Sequence, residues 1–233
     1  MGIDSNAIGE FILYMVALVF SLSVHESAHA WMSNRFGDDL ARLQGRISLN
    51  PASHVDPIGT LLFPAISFFT GAPLIGWARP TPVNPLKWRN KRVANFWVSA
   101  AGVICNAIIA VSAGILMRGL FEVNLVGLRM HPFLGLGAVT NSQSLIAEGA
   151  ANLLTGLFRL NVALAVFNLL PIPPLDGGKI LGSLLPPSFE SSLEALERFG
   201  FLLLFIAVFT GVLGVIFRIV MPVVSYPFTI GLS

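Results

Sequence analysis

Two histidines and a glutamate occur within five residues of an apolar stretch, in the order His25-Glu26-Ser27-Ala28-His29. Residues four apart lie on the same face of an α-helix, so both imidazoles can bind one metal ion. Glu26 lies beside them, where its carboxylate can take a proton from a water molecule at that ion. The spacing therefore predicts a zinc-dependent hydrolytic site with His25 and His29 as ligands and Glu26 as the catalytic base.

A catalytic zinc ion usually has three protein ligands and one open position. Asp176 is the candidate for the third ligand, because it comes just after a proline-rich break at 171–174 that ends an apolar stretch. An aspartate at this point could instead cap the first turn of a short helix. Beside the histidine motif we favour the ligand role, which predicts one catalytic Zn²⁺ bound by His25, His29 and Asp176.

The composition indicates a membrane protein. Of the 233 residues, 55% are hydrophobic and 11% are charged, against about 25% charged residues in ordinary soluble domains. Charge-free runs at 11–25, 57–78, 93–117 and 199–217 approach the roughly 20 residues that a spanning helix needs. The net charge of +2 gives no reason to expect nucleic acid, and the single cysteine excludes a cysteine-based metal site.

We expect an all-α polytopic membrane protein, with about five transmembrane helices, a re-entrant segment and short β-strands near the active site. Helices are predicted at 8–36, 93–119, 144–170 and 193–220, with loops at 41–57 and 120–141. The chain reads as one membrane-embedded domain over 1–233, with a core at 8–185 and a C-terminal helix at 193–220. Alternation over 46–50 predicts a short strand there.

The run at 57–78 contains three prolines and three glycines, which argue against one straight helix. A re-entrant segment and a full crossing both remain open for it, and we favour re-entry. The following segment, Arg79–Arg92, has five basic residues and no acidic one, which is typical of a cytoplasmic face. This predicts an active site that opens toward the cytoplasm and an N-terminus outside the cell.

The paired motifs resemble those of the site-2 protease family of intramembrane zinc metalloproteases, in its compact bacterial branch without PDZ or CBS domains. The resemblance rests on four stretches, His25-Glu26-x-x-His29, Asn50-Pro51-x-x-His54-x-Asp56-Pro57, Ala101-Gly102-x-x-x-Asn106 and Asn168-x-x-Pro171-x-Pro173-x-Leu175-Asp176-Gly177. Val103 stands where the family usually has proline, the residue that would kink the helix at this point.

The resemblance implies zinc ligation by His25, His29 and Asp176, and catalysis by Glu26. It also implies cleavage of peptide bonds in or near transmembrane segments of membrane proteins. In the family, another protease has usually trimmed such substrates beforehand.

Several further residues are candidates for substrate contact. We expect Asn106 to hold the substrate carbonyl or its oxyanion, with His54 and Asn168 as further candidates. A packing role for Asn106 and an interfacial position for His54 remain open. The predicted strand residues Arg46, Ile47, Ser48 and Leu49 are candidates for binding an unwound substrate by strand addition. Arg159, in the middle of a predicted helix, is expected to pair with a carboxylate or to reach the interface.

Three other functions are compatible with parts of the sequence. A metalloprotease with a glutamate as third ligand would use Glu122, Glu148 or the group at 190–197, none of which lies in a second metal motif. A catalytically inactive zinc-binding scaffold would not need the intact Glu26. A membrane ion transporter would need a polar path, and Thr210 is the one hydroxyl-bearing residue between 199 and 217.

Overall fold

The structure, a computed structural model, describes residues 5–71, 76–131, 134–142 and 144–231. It is mainly helical, as the composition predicts. The helices are α1 (Ser5–Arg35), α2 (Leu40–Leu43), α3 (Phe63–Thr70), α4 (Lys91–Glu122), α5 (Leu145–Asn168), α6 (Asp176–Leu184), α7 (Glu190–Phe209) and α8 (Val212–Ser225), and the strands are β1 (Val126–His131) and β2 (Gly135–Thr140).

The helices α1, α4 and α5 pack against one another and form the centre of the molecule. Each is long and apolar enough to cross a membrane. A fourth span is possible if α7 and α8 act as one broken helix. The sequence predicted a single helix at 193–220, but the chain bends by 71° between α7 and α8. Gly211 adopts a left-handed conformation with φ of +78° at this bend, and glycine accepts that conformation without steric cost.

The segment that begins at Pro57 folds back on itself, so that it starts and finishes at the same end of the helix bundle. A π-helical stretch, Pro57–Leu62, leads into α3, and the returning chain then hydrogen-bonds to the start of the segment. Trp77 N donates to Gly59 O at 3.2 Å, and Thr60 Oγ1 donates to Trp77 O at 2.8 Å. Its two ends are therefore neighbours, as the re-entrant prediction requires. Residues 72–75 lie outside the described part of the segment.

The β-structure lies in a different place from the one predicted. No strand forms at 46–50, and buried Arg46 instead donates side-chain hydrogen bonds to the carbonyls of Arg79 and Pro80. Instead, the expected loop at 120–141 contains the antiparallel β1–β2 hairpin. Its second strand packs against α5 and α8, and Leu136 joins a buried apolar cluster with Met117 of α4 and Phe158 of α5.

The third candidate ligand lies at the start of a short helix that packs on α4. The prolines that follow α5 interrupt the helical hydrogen bonding, and α6 begins at Asp176 itself. A Cβ atom on Gly177 would collide with the carbonyls of Leu169 and Leu170, and one on Gly178 would lie 2.5 Å from Pro173 N. These two glycines therefore allow α6 to turn back tightly against the linker.

Candidate metal centre and cleft

The three predicted ligands converge between α1 and α6. The Nε2 atoms of His25 and His29 are 3.0 Å apart, and each lies 3.3 Å from Oδ2 of Asp176. All three side chains are buried. Within the described residues, they are the one group of histidine and acidic side chains whose ligand atoms lie close enough to share a metal ion.

Hydrogen bonds to the opposite ring nitrogens fix the tautomers of both histidines. His29 Nδ1 lies 2.6 Å from the backbone carbonyl of Val98, which can only accept, so this nitrogen carries the proton. His25 Nδ1 lies 2.6 Å from Oδ1 of Asn106. The Asn106 amide nitrogen donates to Asn161 Oδ1 and to the carbonyl of Ser21, which confirms that its oxygen is the atom facing His25. In the neutral form of this tautomer, both imidazoles therefore direct the lone pair of Nε2 at Asp176.

This arrangement suits a bound cation. Two Nε2 lone pairs and a carboxylate oxygen meet within 3.3 Å, yet neutral imidazoles of this tautomer have no proton to place between them. Oδ2 of Asp176 accepts no hydrogen bond from the described residues. A buried, unpaired acceptor is costly unless an ion or proton compensates for it. Two imidazole nitrogens and one carboxylate oxygen are a usual ligand set for zinc, so the residues fit the metal that the motif predicts.

The carboxyl group of Asp176 depends on positive charge to remain ionised. Burial by itself raises its pKa, whereas the two imidazoles, when they are protonated, lower that pKa well below the usual carboxyl range. A metal ion at the same atoms would supply positive charge while both imidazoles stay neutral.

Gly102 of α4 allows the two imidazole rings to lie directly on that helix. A Cβ atom at this position would be 2.6 Å from His25 Cε1 and 2.6 Å from His29 Nε2. Any larger residue would therefore displace the ligands themselves. Val98, Gly102 and Asn106 follow helical spacing, so one face of α4 supports both rings.

The candidate base, Glu26, is held from the extended segment that follows the re-entrant turn. The backbone N–H of Thr81 donates to Glu26 Oε2 at 2.8 Å, and Thr81 Oγ1 donates to the Glu26 backbone carbonyl at 2.9 Å. Arg46 fixes this segment through its bonds to the carbonyls of Arg79 and Pro80. One carboxylate oxygen of Glu26 is thus occupied by the protein, which leaves Oε1 for chemistry.

A cleft of about 800 Å³ leads to these groups. Its walls come from α1, the 76–85 segment, α4, the end of α5, α6 and the start of α7. The polar side chains that line it include Glu26, Thr81, Asn95, Asn168, Lys179, Glu194 and Glu197. Although Glu194 and Glu197 line the cleft, they are not part of the three-residue cluster, so they do not replace Asp176 as the third candidate ligand.

The predicted substrate residues do not all reach the cleft. Asn168 lines it, so its predicted contact with substrate stays a prediction. Asn106 is fully buried, and both hydrogens of its amide are donated to protein acceptors, which favours orientation of His25 over contact with substrate. His54 is buried beside Ser48 O, 2.8 Å from its Nε2, and does not line the cleft.

The residues expected to bind substrate as a strand have other contacts. Arg46 is only 4% exposed and binds the 79–80 backbone. Ile47, Ser48 and Leu49 do not line the cleft, and they form no strand. The strand expected over these four residues is absent, and their contact with substrate stays a prediction.

Sequence reasoning missed several residues that support the site. Asn161 of α5 accepts from Asn106 and donates to Ser21 Oγ at 2.8 Å, so a buried polar chain links three helices behind His25. An asparagine within an apolar stretch was a visible signal, because buried polar groups are expensive in a membrane. No pattern in the sequence indicated a role for Thr81, because its contact with the Glu26 carboxylate uses the backbone N–H.

Comparison with known proteins gives matches over most of the chain. Residues 13–207 match the profile described as Peptidase family M50. The chain is 36% identical over 200 residues to "Putative zinc metalloprotease YwhC" of Bacillus subtilis, covering 86% of this chain and 81% of the relative. It is 29% identical over 207 residues to "Putative zinc metalloprotease Rip2" of Mycolicibacterium smegmatis, covering 89% and 70%. No solved structure gives a significant match.

Proposed function

Because this chain belongs to peptidase family M50, we propose that it hydrolyses peptide bonds in or near the transmembrane segments of other membrane proteins. It is a zinc metalloprotease with several apolar helices that suit a membrane. In the proposed site His25, His29 and Asp176 hold the zinc ion and Glu26 is the catalytic base. The observation that supports this assignment is the convergence of three buried metal-binding atoms next to a carboxylate in an open cleft.

The chain's own residues account for binding, orientation and proton transfer. A bound zinc ion would lower the pKa of a water molecule toward about 7 and polarise the scissile carbonyl. Glu26, held through Oε2 by Thr81, takes a proton from the attacking water at Oε1 and returns it to the leaving amine nitrogen. Val98 and Asn106 hold the imidazole rings in one orientation throughout, so no reorganisation of the ligands is needed.

The proposal is tested with purified full-length protein in detergent and a panel of single-span membrane proteins. We expect Glu26→Gln to abolish cleavage while the zinc content remains equal to that of the unchanged protein. Glu194→Gln is the matched control, since Glu194 also lines the cleft but lies outside the ligand cluster. Zinc binding without cleavage of any substrate would favour the inactive scaffold, and absence of zinc would contradict the ligand assignment.

We propose further that the site faces the cytoplasm and that α1 begins outside the cell. The basic segment Arg79–Arg92 contains no acidic residue and joins the cleft end of the bundle to α4. Cysteine labelling tests this, starting from Cys105→Ser, which removes the single native cysteine. An impermeant maleimide should label Ser142→Cys in intact cells, and Arg89→Cys only after the cells are opened. The reverse pattern would contradict the orientation.

We also propose that the preferred substrates are trimmed by another protease before they enter the cleft. A transmembrane helix hides its peptide bonds in backbone hydrogen bonds, so it must unwind before hydrolysis, and a bulky flanking domain would hinder its approach. The comparison uses one substrate with its extracellular domain present or removed. We expect the shortened form to be cleaved at least several-fold faster. Equal cleavage rates for the two forms would contradict the proposal that substrates are trimmed first.

A further inference from the structure

The short helix α6 has a sequence that favours helix only weakly. It contains nine residues, three of which are glycine: Gly177, Gly178 and Gly182. Glycine is the poorest helix former after proline, and isolated helices shorter than about 12–15 residues are marginal. The position of its first residue, Asp176, therefore depends on the surfaces against which α6 docks.

Arg92, at the start of α4, binds the C-terminal end of α6. Its Nε donates to Ser183 O at 2.6 Å, and its Nη2 donates to Leu184 O at 2.9 Å and to Leu185 O at 3.0 Å. The last carbonyls of a helix have no partners within the helix, and they carry partial negative charge. Arg92 therefore caps α6 from a neighbouring helix, with a charge of the favourable sign.

Asn95, nearly one turn further along α4, binds the middle of α6. Its Nδ2 donates to Lys179 O at 3.1 Å and to Ser183 Oγ at 2.9 Å. Ser183 Oγ in turn donates to Lys179 O at 2.8 Å, so the contact includes both side chain and backbone of α6. The opposite end of α6 is fixed by the close packing of Gly177 and Gly178 against the linker. Contacts at both ends determine the direction of the helix axis.

The face of α4 that carries these two residues also orients the other two ligands. Val98 O binds His29, Gly102 supports both rings and Asn106 binds His25. Together with Arg92 and Asn95, these residues recur every three or four positions, which places them along one side of the helix. One face of α4 thus contacts both elements that carry the metal-binding atoms, α1 with His25 and His29 and α6 with Asp176.

We propose that Arg92 and Asn95 are positioning residues that hold Asp176 against His25 and His29 through α6. The inference rests on the proposed role of Asp176 as a zinc ligand. Loss of either contact frees the C-terminal half of a weak helix, and the carboxylate at its first residue then samples positions away from the imidazoles. The consequence is weaker zinc binding, before any effect on substrate.

The experiment measures the zinc dissociation constant of the full chain in detergent by competition with a chromogenic chelator, so it needs no substrate. We expect Arg92→Ala to raise that constant about 10-fold, in the range found for residues that orient metal ligands. Asn95→Ala should also raise the zinc dissociation constant, and Arg92→Lys should retain part of the affinity that Arg92→Ala loses. Lys91→Ala is the matched control, as an exposed neighbouring cation that should leave the constant unchanged.

A second set of variants separates positioning from general damage to the fold. If Arg92 acts through Asp176, Arg92→Ala should cause no further loss of zinc affinity in the Asp176→Ala background. The proposal is overturned if Arg92→Ala weakens binding equally in both backgrounds, or if neither Arg92→Ala nor Asn95→Ala weakens it at all. An Asp176→Ala protein that binds zinc as tightly as the unchanged chain would instead overturn the ligand assignment itself.

Discussion

Oδ1 of Asn106 lies 2.6 Å from Nδ1 of His25, and Asn106 has no exposed surface. This contact fixes which nitrogen of the imidazole carries its proton, and hence which nitrogen faces Asp176. Asn106 is itself fixed by Asn161 and Ser21, so the orientation of His25 is set by a chain of hydrogen bonds through α4, α5 and α1. Such partners of metal ligands tune affinity although they never touch the ion.

Replacement of Asn106 by alanine should weaken zinc binding. It removes the acceptor for His25 Nδ1 and leaves the buried Asn161 amide oxygen without its donor. We expect the zinc dissociation constant to rise about 10- to 100-fold, as for other residues that orient ligating histidines. Chelator competition on the purified protein measures this. Cys105→Ser, one position earlier on α4, is the control, and equal affinities for the two variants would contradict the role assigned to Asn106.

Replacement of Gly102 by alanine should disrupt the site by steric contact alone. The added methyl group would lie 2.6 Å from atoms of both histidine rings, so the rings or α4 must move. We expect loss of bound zinc from an otherwise folded protein, measured as metal content after gel filtration. Gly119→Ala on the same helix is the matched control, because nothing lies within 4 Å of its added methyl group. Retention of zinc by Gly102→Ala would mean that α1 and α4 can separate without cost.

The β-hairpin should depend on Arg159 of α5. Its guanidinium donates to Leu136 O at 3.0 Å and to Gly135 O at 3.4 Å, so its partners are backbone carbonyls and not the carboxylate that the sequence suggested. Arg159→Met would leave those acceptors unpaired, at a cost of about 1–3 kcal/mol for a buried group. We expect a lower melting temperature and faster proteolysis of the hairpin, with zinc content unchanged.

The control for this substitution is Arg129→Met in β1, because Arg129 is exposed. We expect the Arg129→Met protein to have the same melting temperature as the unchanged protein. Equal melting temperatures for the Arg159 and Arg129 variants would show that the half-buried guanidinium of Arg159 does not stabilise the hairpin.

The long helices and the metal cluster were predictable because each depends on a local pattern. His25 and His29 lie four apart in a helix, and charge-free runs of sufficient length marked α1 and α4. The bend at Gly211 was not predictable, since one glycine in an apolar run is compatible with a straight helix. The contact of Arg92 with the end of α6 was also not predictable. In the sequence Arg92 indicates only topology, because its carbonyl partners lie 91–93 residues away along the chain.

The hairpin and the support of Glu26 were missed for a related physical reason. Strand pairing in β1 and β2 is stabilised by α5 and α8, and such tertiary contacts leave a weak local pattern. Arg46–Asn50 had the clearer alternation, yet it pairs with no strand in the part of the chain that the structure describes. The bond from Thr81 to Glu26 uses a backbone N–H that every residue except proline possesses.

Thr81 provides a test of how closely the base must be held. Thr81→Ala removes the hydroxyl that binds the Glu26 carbonyl but keeps the backbone N–H on Oε2, whereas Thr81→Pro removes the N–H as well. A hydrogen bond contributes about 0.5–1.5 kcal/mol, so we expect a loss in kcat of roughly 2- to 10-fold for Thr81→Ala and a larger loss for Thr81→Pro. Thr81→Ser keeps both donors and should retain kcat. Zinc content should stay constant across the three variants, because neither bond involves a ligand. A fall in zinc content that parallels kcat would mean that Thr81 supports the whole end of α1, and unchanged kcat in Thr81→Pro would mean that Glu26 needs no fixed partner.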